Sequence, residues 1–187
     1  MNTASKILLE TVIRSASETK EETTSIVDLI FDWRDADSNA RPNGVEFSSY
    51  KSGDTSASIK NGKFEYIEEL GHIAGINQNI FHKIKPDVTV LILKRGVDPR
   101  FASTNLMNII LSYNNIIARQ FEESRETNSD RASIALLKQS GISKHMFSSS
   151  TRSSYSISAA AMSKSGACRA RDILVTITKS SYSIHTW

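Results

Sequence analysis

A chain of 187 residues with 39% hydrophobic side chains can form one compact domain or two small lobes, and is too apolar for a disordered tail. It holds no run of about 18 apolar residues and nothing near Met1 ordered as a signal peptide, so the expectation is a chain that neither spans a membrane nor carries its own export signal. The net charge of +3 hides an asymmetry: residues 1–75 hold 13 acidic against 8 basic side chains and residues 76–187 hold 7 against 15, but the basic ones are scattered as on an ordinary solvated surface.

Helical periodicity dominates the first half. Leu8/Val12 and Leu9/Ile13, then Ile26/Ile30 and Val27/Phe31, predict two amphipathic helices separated by the polar stretch from Ser15 to Thr24 and paired as a hairpin. Turn chemistry then runs from Asp35 to Gly62, too long for a plain connection and in need of something to order it. Ile67, Leu70 and Ile73 mark a short helix ended by Gly71 and Gly75. Ile76 to Ile84 reads as its partner, stopped at Pro86.

Val88, Val90 and Ile92 alternate as a brief strand, and Leu106 to Ile117 is expected to form the longest helix, followed by a polar break from Glu122 to Arg131. Ile134 to Lys138 suggests another short helix, and the serine-rich stretch from Ser148 to Ser158 a linker running into a strand. The period then changes to two. Tyr155/Ile157/Ala159/Ala161, Ile173/Val175/Ile177 and Tyr182/Ile184 predict an antiparallel meander of about three strands with a turn at Lys164–Gly166. Such a sheet is marginal alone and wants a helix or a second sheet against its apolar face. Met1–Ile13 and Val97–Leu111 share an Ala-Ser step before paired Leu or Ile, which reads as a duplicated helical unit with Ser or Thr as N-caps.

The most specific local signal runs from Asp35 to Glu46. With Asp35 as position one, Asp37 falls at three, Asn39 at five, Arg41 at seven through its carbonyl, Asn43 at nine and Glu46 at twelve. This is the ligand spacing of an EF-hand loop, and an all-oxygen donor set suits calcium. Asp32 on the preceding helix is a further ligand or a supporting group. Ala40 stands where the usual glycine turns the loop, and Pro42 where a β-branched residue is usual; the same residues also serve a plain solvated turn.

The stretch Gly71-His-Ile-Ala-Gly-Ile76 is similar to the turn of helix-hairpin-helix modules, which offer backbone amides to DNA phosphates. Glu65, Glu68 and Glu69 beside it would repel a phosphate. Catalytic signals are poor. The histidines His72, His82, His145 and His185 form no HExxH pair, no GxSxG elbow or P-loop occurs, and Cys168 has no second cysteine for a disulfide, CxxC pair or zinc site. Trp33 and Trp187 read as core residues.

Several segments together resemble one family. Phe31-Asp-Trp-Arg-Asp-Ala-Asp-Ser-Asn-Ala-Arg-Pro-Asn-Gly-Val-Glu46, Phe64-Glu-Tyr-Ile-Glu-Glu-Leu70, Gly75-Ile76 and Pro86-Asp-Val-Thr-Val90 are similar to protein K of the general secretion pathway, a type II secretion system minor pseudopilin. Asn2-Thr-Ala-Ser5, Gly96-Val-Asp-Pro99 and the closing strands around Cys168 to Ile177 extend the resemblance over most of residues 2–187.

It implies an α+β chain: a helical, helix-hairpin-helix or SAM-like insertion over residues 1–147, then a small antiparallel pilin-type sheet over 148–187. It implies a non-enzymatic protein that binds calcium and helps to form or initiate a pseudopilus tip with other minor pseudopilins, without nucleic acid. The family's prepilin-peptidase site and long apolar N-terminal helix have no counterpart here. The expectation is therefore a truncated fragment or diverged soluble form, periplasmic and inner-membrane associated only in the full-length family, with membrane attachment only through that absent helix. A helix-hairpin-helix DNA-binding protein is the alternative.

Overall fold

The computed structural model describes residues 1–37, 39–44, 60–90, 95–99, 101–112, 115–127, 141–142, 146–147, 154–177 and 181–186. They form two compact units, Met1–Ser148 and Ser149–Trp187.

In the first unit, α1 (Lys6–Arg14) starts where Ser5 adopts extended dihedrals and its Oγ accepts from the Leu8 N–H at 3.4 Å. α2 (Lys20–Arg34) starts the same way at Thr19, whose Oγ1 accepts from Glu22 N at 3.0 Å, while the Glu22 carboxylate accepts from Glu18 N at 2.8 Å. A cap of this kind is worth about 1 kcal/mol. Glu21 and Glu22 at the start and Arg34 at the end also suit the helix dipole. The polar stretch between the helices is thus shorter than its composition predicts, because Lys20 to Thr24 belong to the capped first turn of α2.

α4 (Thr104–Ile110) starts as α1 does, at a serine: Ser103 Oγ accepts from Leu106 N at 2.9 Å. α1 packs on both α2 and α4. Between them in sequence come a 3₁₀ helix (Ile67–His72), α3 (Gln78–Ile84) and a second 3₁₀ turn (Lys85–Asp87). α3 thus ends at Ile84, as expected from Pro86, which sits in the 3₁₀ turn that follows. Ile13, Ile26, Val27, Ile30, Leu70, Ile84, Met107, Ile110 and Phe121 are fully or almost fully buried in one contiguous core. Each side chain so buried contributes roughly 1.5–3 kcal/mol of transfer free energy.

Three expectations need correction. The apolar run from Leu106 to Ile117 is two helices, α4 and α5 (Asn115–Glu126); Ser112, at φ 53°, adopts the left-handed conformation and breaks the first of them. The longest helix is instead α2, with 15 residues. Glu122 to Glu126 are not a break, since α5 runs through them. Arg119–Glu123 at 3.2 Å and Arg125–Glu122 at 3.4 Å pair along its surface, while Ile117, Ala118 and Phe121 anchor its other face to the core, so good helix formers carry the polar last turns. Val88 to Val90 form no strand: the Thr89 carbonyl accepts from the Met1 nitrogen and the Val90 carbonyl from Asn2 Nδ2 at 2.8 Å, so side-chain and terminal donors replace a strand ladder. Ile92, the expected helix at Ile134–Lys138 and the start of the serine-rich linker lie outside the described residues.

The second unit is the meander β1 (Ser154–Met162), β2 (Cys168–Ile177), β3 (Tyr182–Thr186), antiparallel throughout and in that spatial order. Its register places Tyr155 opposite Val175 and Ile157 opposite Ile173, then Val175 opposite Ile184 and Ile177 opposite Tyr182. Directly paired residues share a face, so these side chains form one apolar surface. Tyr155, Ile157, Ile177, Tyr182 and Ile184 on it are exposed. The α+β class expected from the sequence is the class observed.

Candidate metal centre in the carboxylate loop

The last turns of α2 place Asp28 and Asp32 four residues apart, on one helical face. Both are buried, Asp32 completely. A carboxylate without solvent needs donors, and the loop after α2 supplies them by folding back. Asp32 Oδ2 accepts from the Arg41 backbone N–H at 3.2 Å, and Asp32 Oδ1 from Arg41 Nη1 at 3.1 Å. The same Nη1 donates to Asp35 Oδ2 at 3.0 Å. Asn43 Nδ2 donates to Asp28 Oδ2 at 3.0 Å. Gly44 N donates to the Arg41 carbonyl at 2.9 Å, and a Cβ on Gly44 would lie 1.6 Å from Asp32 Oδ2. Only glycine lets the loop close over that carboxylate.

Phe31 fixes the cations from its ring face. The Arg34 guanidinium lies 4.1 Å and the Arg41 guanidinium 4.7 Å from the ring centroid. Arg34 donates to the carbonyls of Met1 and Ala4, and burial, then the nearby charge of Arg41, draws its pKa down to about 10. Asp37 Oδ1 accepts from Asn39 N at 2.8 Å, and the Asp37 carbonyl from Asn61 Nδ2 at 3.3 Å, which ties the two ends of the long loop. Burial holds the Asp35 carboxyl above the usual range, helped by the charges of Asp37 and Asp32 and opposed by Arg41. Two buried oxygens here, Asp35 Oδ1 and Asn61 Oδ1, have no hydrogen-bond partner among the described residues.

The structure thus brings Asp32, Asp35 and Arg41 into one knot, places Asp37 and Asn39 in the adjoining turn, and aims Asn43 at Asp28. Glu46 lies outside the described residues. Among the described residues no three acidic, His or Cys side chains stand together as a ready-made metal shell. Asp28 and Asn61 are members that spacing alone misses. Asp28 carries a signal nonetheless, because a charged residue four before Asp32 on a packed helix requires a partner.

A second knot anchors the far end of the loop. Glu69 accepts from Glu65 N at 2.8 Å, Tyr66 N at 3.0 Å, Lys60 Nζ at 3.1 Å and Trp33 Nε1 at 3.3 Å. Trp33 stacks between Phe64 and His72, with centroids at 5.9 and 6.4 Å.

The DNA alternative fares poorly on geometry. Ile73 N donates to the Leu70 carbonyl, Ile76 N to Ile73 and Asn77 N to Gly75, so amides that would meet a phosphate are used within the turn. Asn77 caps α3 through Oδ1, accepting from Ile80 N at 2.9 Å. Gly75, at φ 85°, lies where a Cβ would come within 3.0 Å of Ile26, so this glycine serves turn and packing.

The fold is that of a helical unit followed by a small antiparallel sheet, and it has a close counterpart. With a TM-score of 0.69 over 96% of this chain and 69% of the other, at 13% identity, it matches a chain of the crystal structure of the GspK–GspI–GspJ complex from the type 2 secretion system of enterotoxigenic Escherichia coli. No curated protein matches the sequence. Residues 2–93, about half the chain, match the family model of type II secretion system protein K. The protein belongs to that family, the minor pseudopilins of protein K type.

Proposed function

We propose that the protein is a non-enzymatic structural component of a type II secretion machine, one that joins other minor pseudopilins at the tip of a periplasmic pseudopilus. The observation that carries this reading is the pairing of a family match over residues 2–93 with a fold match, over 96% of the chain, to a chain of the GspK–GspI–GspJ complex. The apolar face of the sheet supports it, because Tyr155, Ile157, Ile177, Tyr182 and Ile184 offer area for contacts with another chain. An open filament built through unlike surfaces leaves one surface unsatisfied at its end, which a different subunit with the matching surface can cap. A packing role for the histidines agrees: His72 stacks on Trp33 and His82 lies edge-on to Phe81. No described helix is long and apolar enough to cross a membrane.

The test is reconstitution with minor pseudopilins of the GspI and GspJ types found in the matched complex. Co-elution as a defined heteromer supports the reading. A chain that stays monomeric with all of them, at concentrations well above micromolar, overturns it.

Calcium is part of the same proposal. The loop fits a hard divalent cation by its donor chemistry and by its two partnerless buried oxygens. Asp35, Asp37, Asn39, Asn43 and the Arg41 carbonyl would hold it, with Asp32 beside them. Bound there, the ion would neutralise the carboxylates and stabilise the native chain. At about 100 times its dissociation constant it should add roughly 2.7 kcal/mol, a rise of a few degrees in melting temperature. Asp37→Ala should abolish that rise, and an identical melting curve in calcium and EDTA would remove calcium from the reading.

A further inference from the structure

The knot at the end of α2 has a consequence for how any metal enters. Asp32 has no solvent exposure, so its carboxylate cannot be left without a cation or donors. In this structure the cation is internal: Arg41 Nη1 spans Asp32 Oδ1 at 3.1 Å and Asp35 Oδ2 at 3.0 Å. These oxygens face the same guanidinium nitrogen at hydrogen-bond distance. A divalent ion would need them at about 2.3–2.6 Å, a separation that leaves no room for that nitrogen. The two cations therefore exclude one another at Asp32 Oδ1 and Asp35 Oδ2.

We propose that the Arg41 side chain is the affinity-setting residue of the loop, an intramolecular counter-ion that holds Asp32 and Asp35 when metal is absent and must withdraw before a divalent cation binds there. This rests on the reading of Asp35 to Asn43 as a calcium loop. The exchange is sterically open at Arg41, whose side chain is 34% exposed. Its guanidinium lies on the Phe31 face, 4.7 Å from the ring centroid, even while it holds the carboxylates, and the Arg41 backbone N–H donates to Asp32 independently of the side chain. The role assigned to position seven of the loop, a carbonyl ligand, is untouched by side-chain replacement. The partnerless Asp35 Oδ1 shows that one guanidinium does not satisfy the site: a monovalent, directional cation leaves an acceptor that a divalent ion could use.

The effect follows from competition. If the Arg41-closed form dominates, the apparent dissociation constant for metal is raised by the inverse of the open fraction. Removing the guanidinium should lower it by about tenfold or more. The experiment is calorimetric titration of calcium into the EDTA-stripped full chain, as wild type, Arg41→Gln and Arg41→Lys, with Asp37→Ala as the site control. Tighter binding by Arg41→Gln, with a lower metal-free melting temperature and a larger rise on adding calcium, supports the proposal. So does binding by Arg41→Gln when wild type shows none.

Equal or weaker affinity in Arg41→Gln overturns the proposal while leaving the calcium loop intact. Absence of binding in wild type and both Arg41 variants instead overturns the calcium reading, and the proposal with it. Should Arg41→Gln fail to fold, nitrogen-15 spectra of the arginine side chains in wild type decide the matter. Loss of slow solvent exchange at the Arg41 guanidinium on saturation with calcium supports withdrawal, and unchanged protection overturns it.

Discussion

The helical unit and the sheet use the same kinds of aliphatic side chain to opposite ends. In the helical unit Ile13, Ile30, Leu70 and Phe121 are sealed from water and each element closes on its neighbour. In the sheet Ile157, Ile177 and Ile184 sit in correct cross-strand register and remain exposed. Register is a matter of backbone pairing and alternation, and burial requires a second layer. A meander can therefore be fully specified by its sequence and still draw little stability from its own apolar face.

The sharpest way to break this contrast is in the helical core. Phe121→Ala should cost about 3–5 kcal/mol in denaturant unfolding, because removing a fully buried ring leaves a cavity. A loss under about 1 kcal/mol would mean that α5 is not integral to the core. Next in size is Gly44→Ala, at about 1–3 kcal/mol, since the added methyl collides with Asp32 Oδ2 and must push out either the loop or a buried carboxylate. That loss should be larger in EDTA than in calcium if the loop binds metal.

How much of this could be read in advance differs between the same regions. α1 and α2 announce themselves through Leu8/Val12 and Ile26/Ile30, and the meander through its period of two, because each pattern repeats over several residues. The break at Ser112 has no such signature. A single residue at positive φ inside an apolar run leaves Leu106 to Ile117 looking like one helix. In the loop, spacing places Asp35, Asp37 and Asn43 on one short curl. It cannot say where a long cation points, and so gives no hint that the Arg41 guanidinium enters the carboxylates while Asn43 turns to Asp28.

The hub at Glu69 sharpens the contrast through pH. Burial would raise its carboxyl, but the Glu65 and Tyr66 amides and Lys60 outweigh this and hold it below the ordinary value of 4.5. With the folded value below the unfolded one, the unfolded chain binds more protons in the window between them. The stabilisation is therefore complete above pH about 4.5 and is lost as pH falls through the folded value. Glu69→Gln should cost about 1–2 kcal/mol at neutral pH and flatten this acid limb. A wild-type acid limb retained in the variant would place the titrating group elsewhere.

The smallest expected effect lies on the sheet, and its smallness is informative. Ile157→Ser keeps a β-compatible backbone and removes a side chain that is 46% exposed opposite Ile173. The loss in the isolated chain should stay near 0.5 kcal/mol, the scale of one cross-strand pair. If the proposed assembly uses this face, the same substitution should weaken association with a minor-pseudopilin partner by far more than it weakens folding, because only there does Ile157 leave water. Equal small losses in both measurements would move the contact surface off the sheet. A large loss in the isolated chain would show that the face is already covered in solution, and that the division between a sealed unit and an open one does not hold.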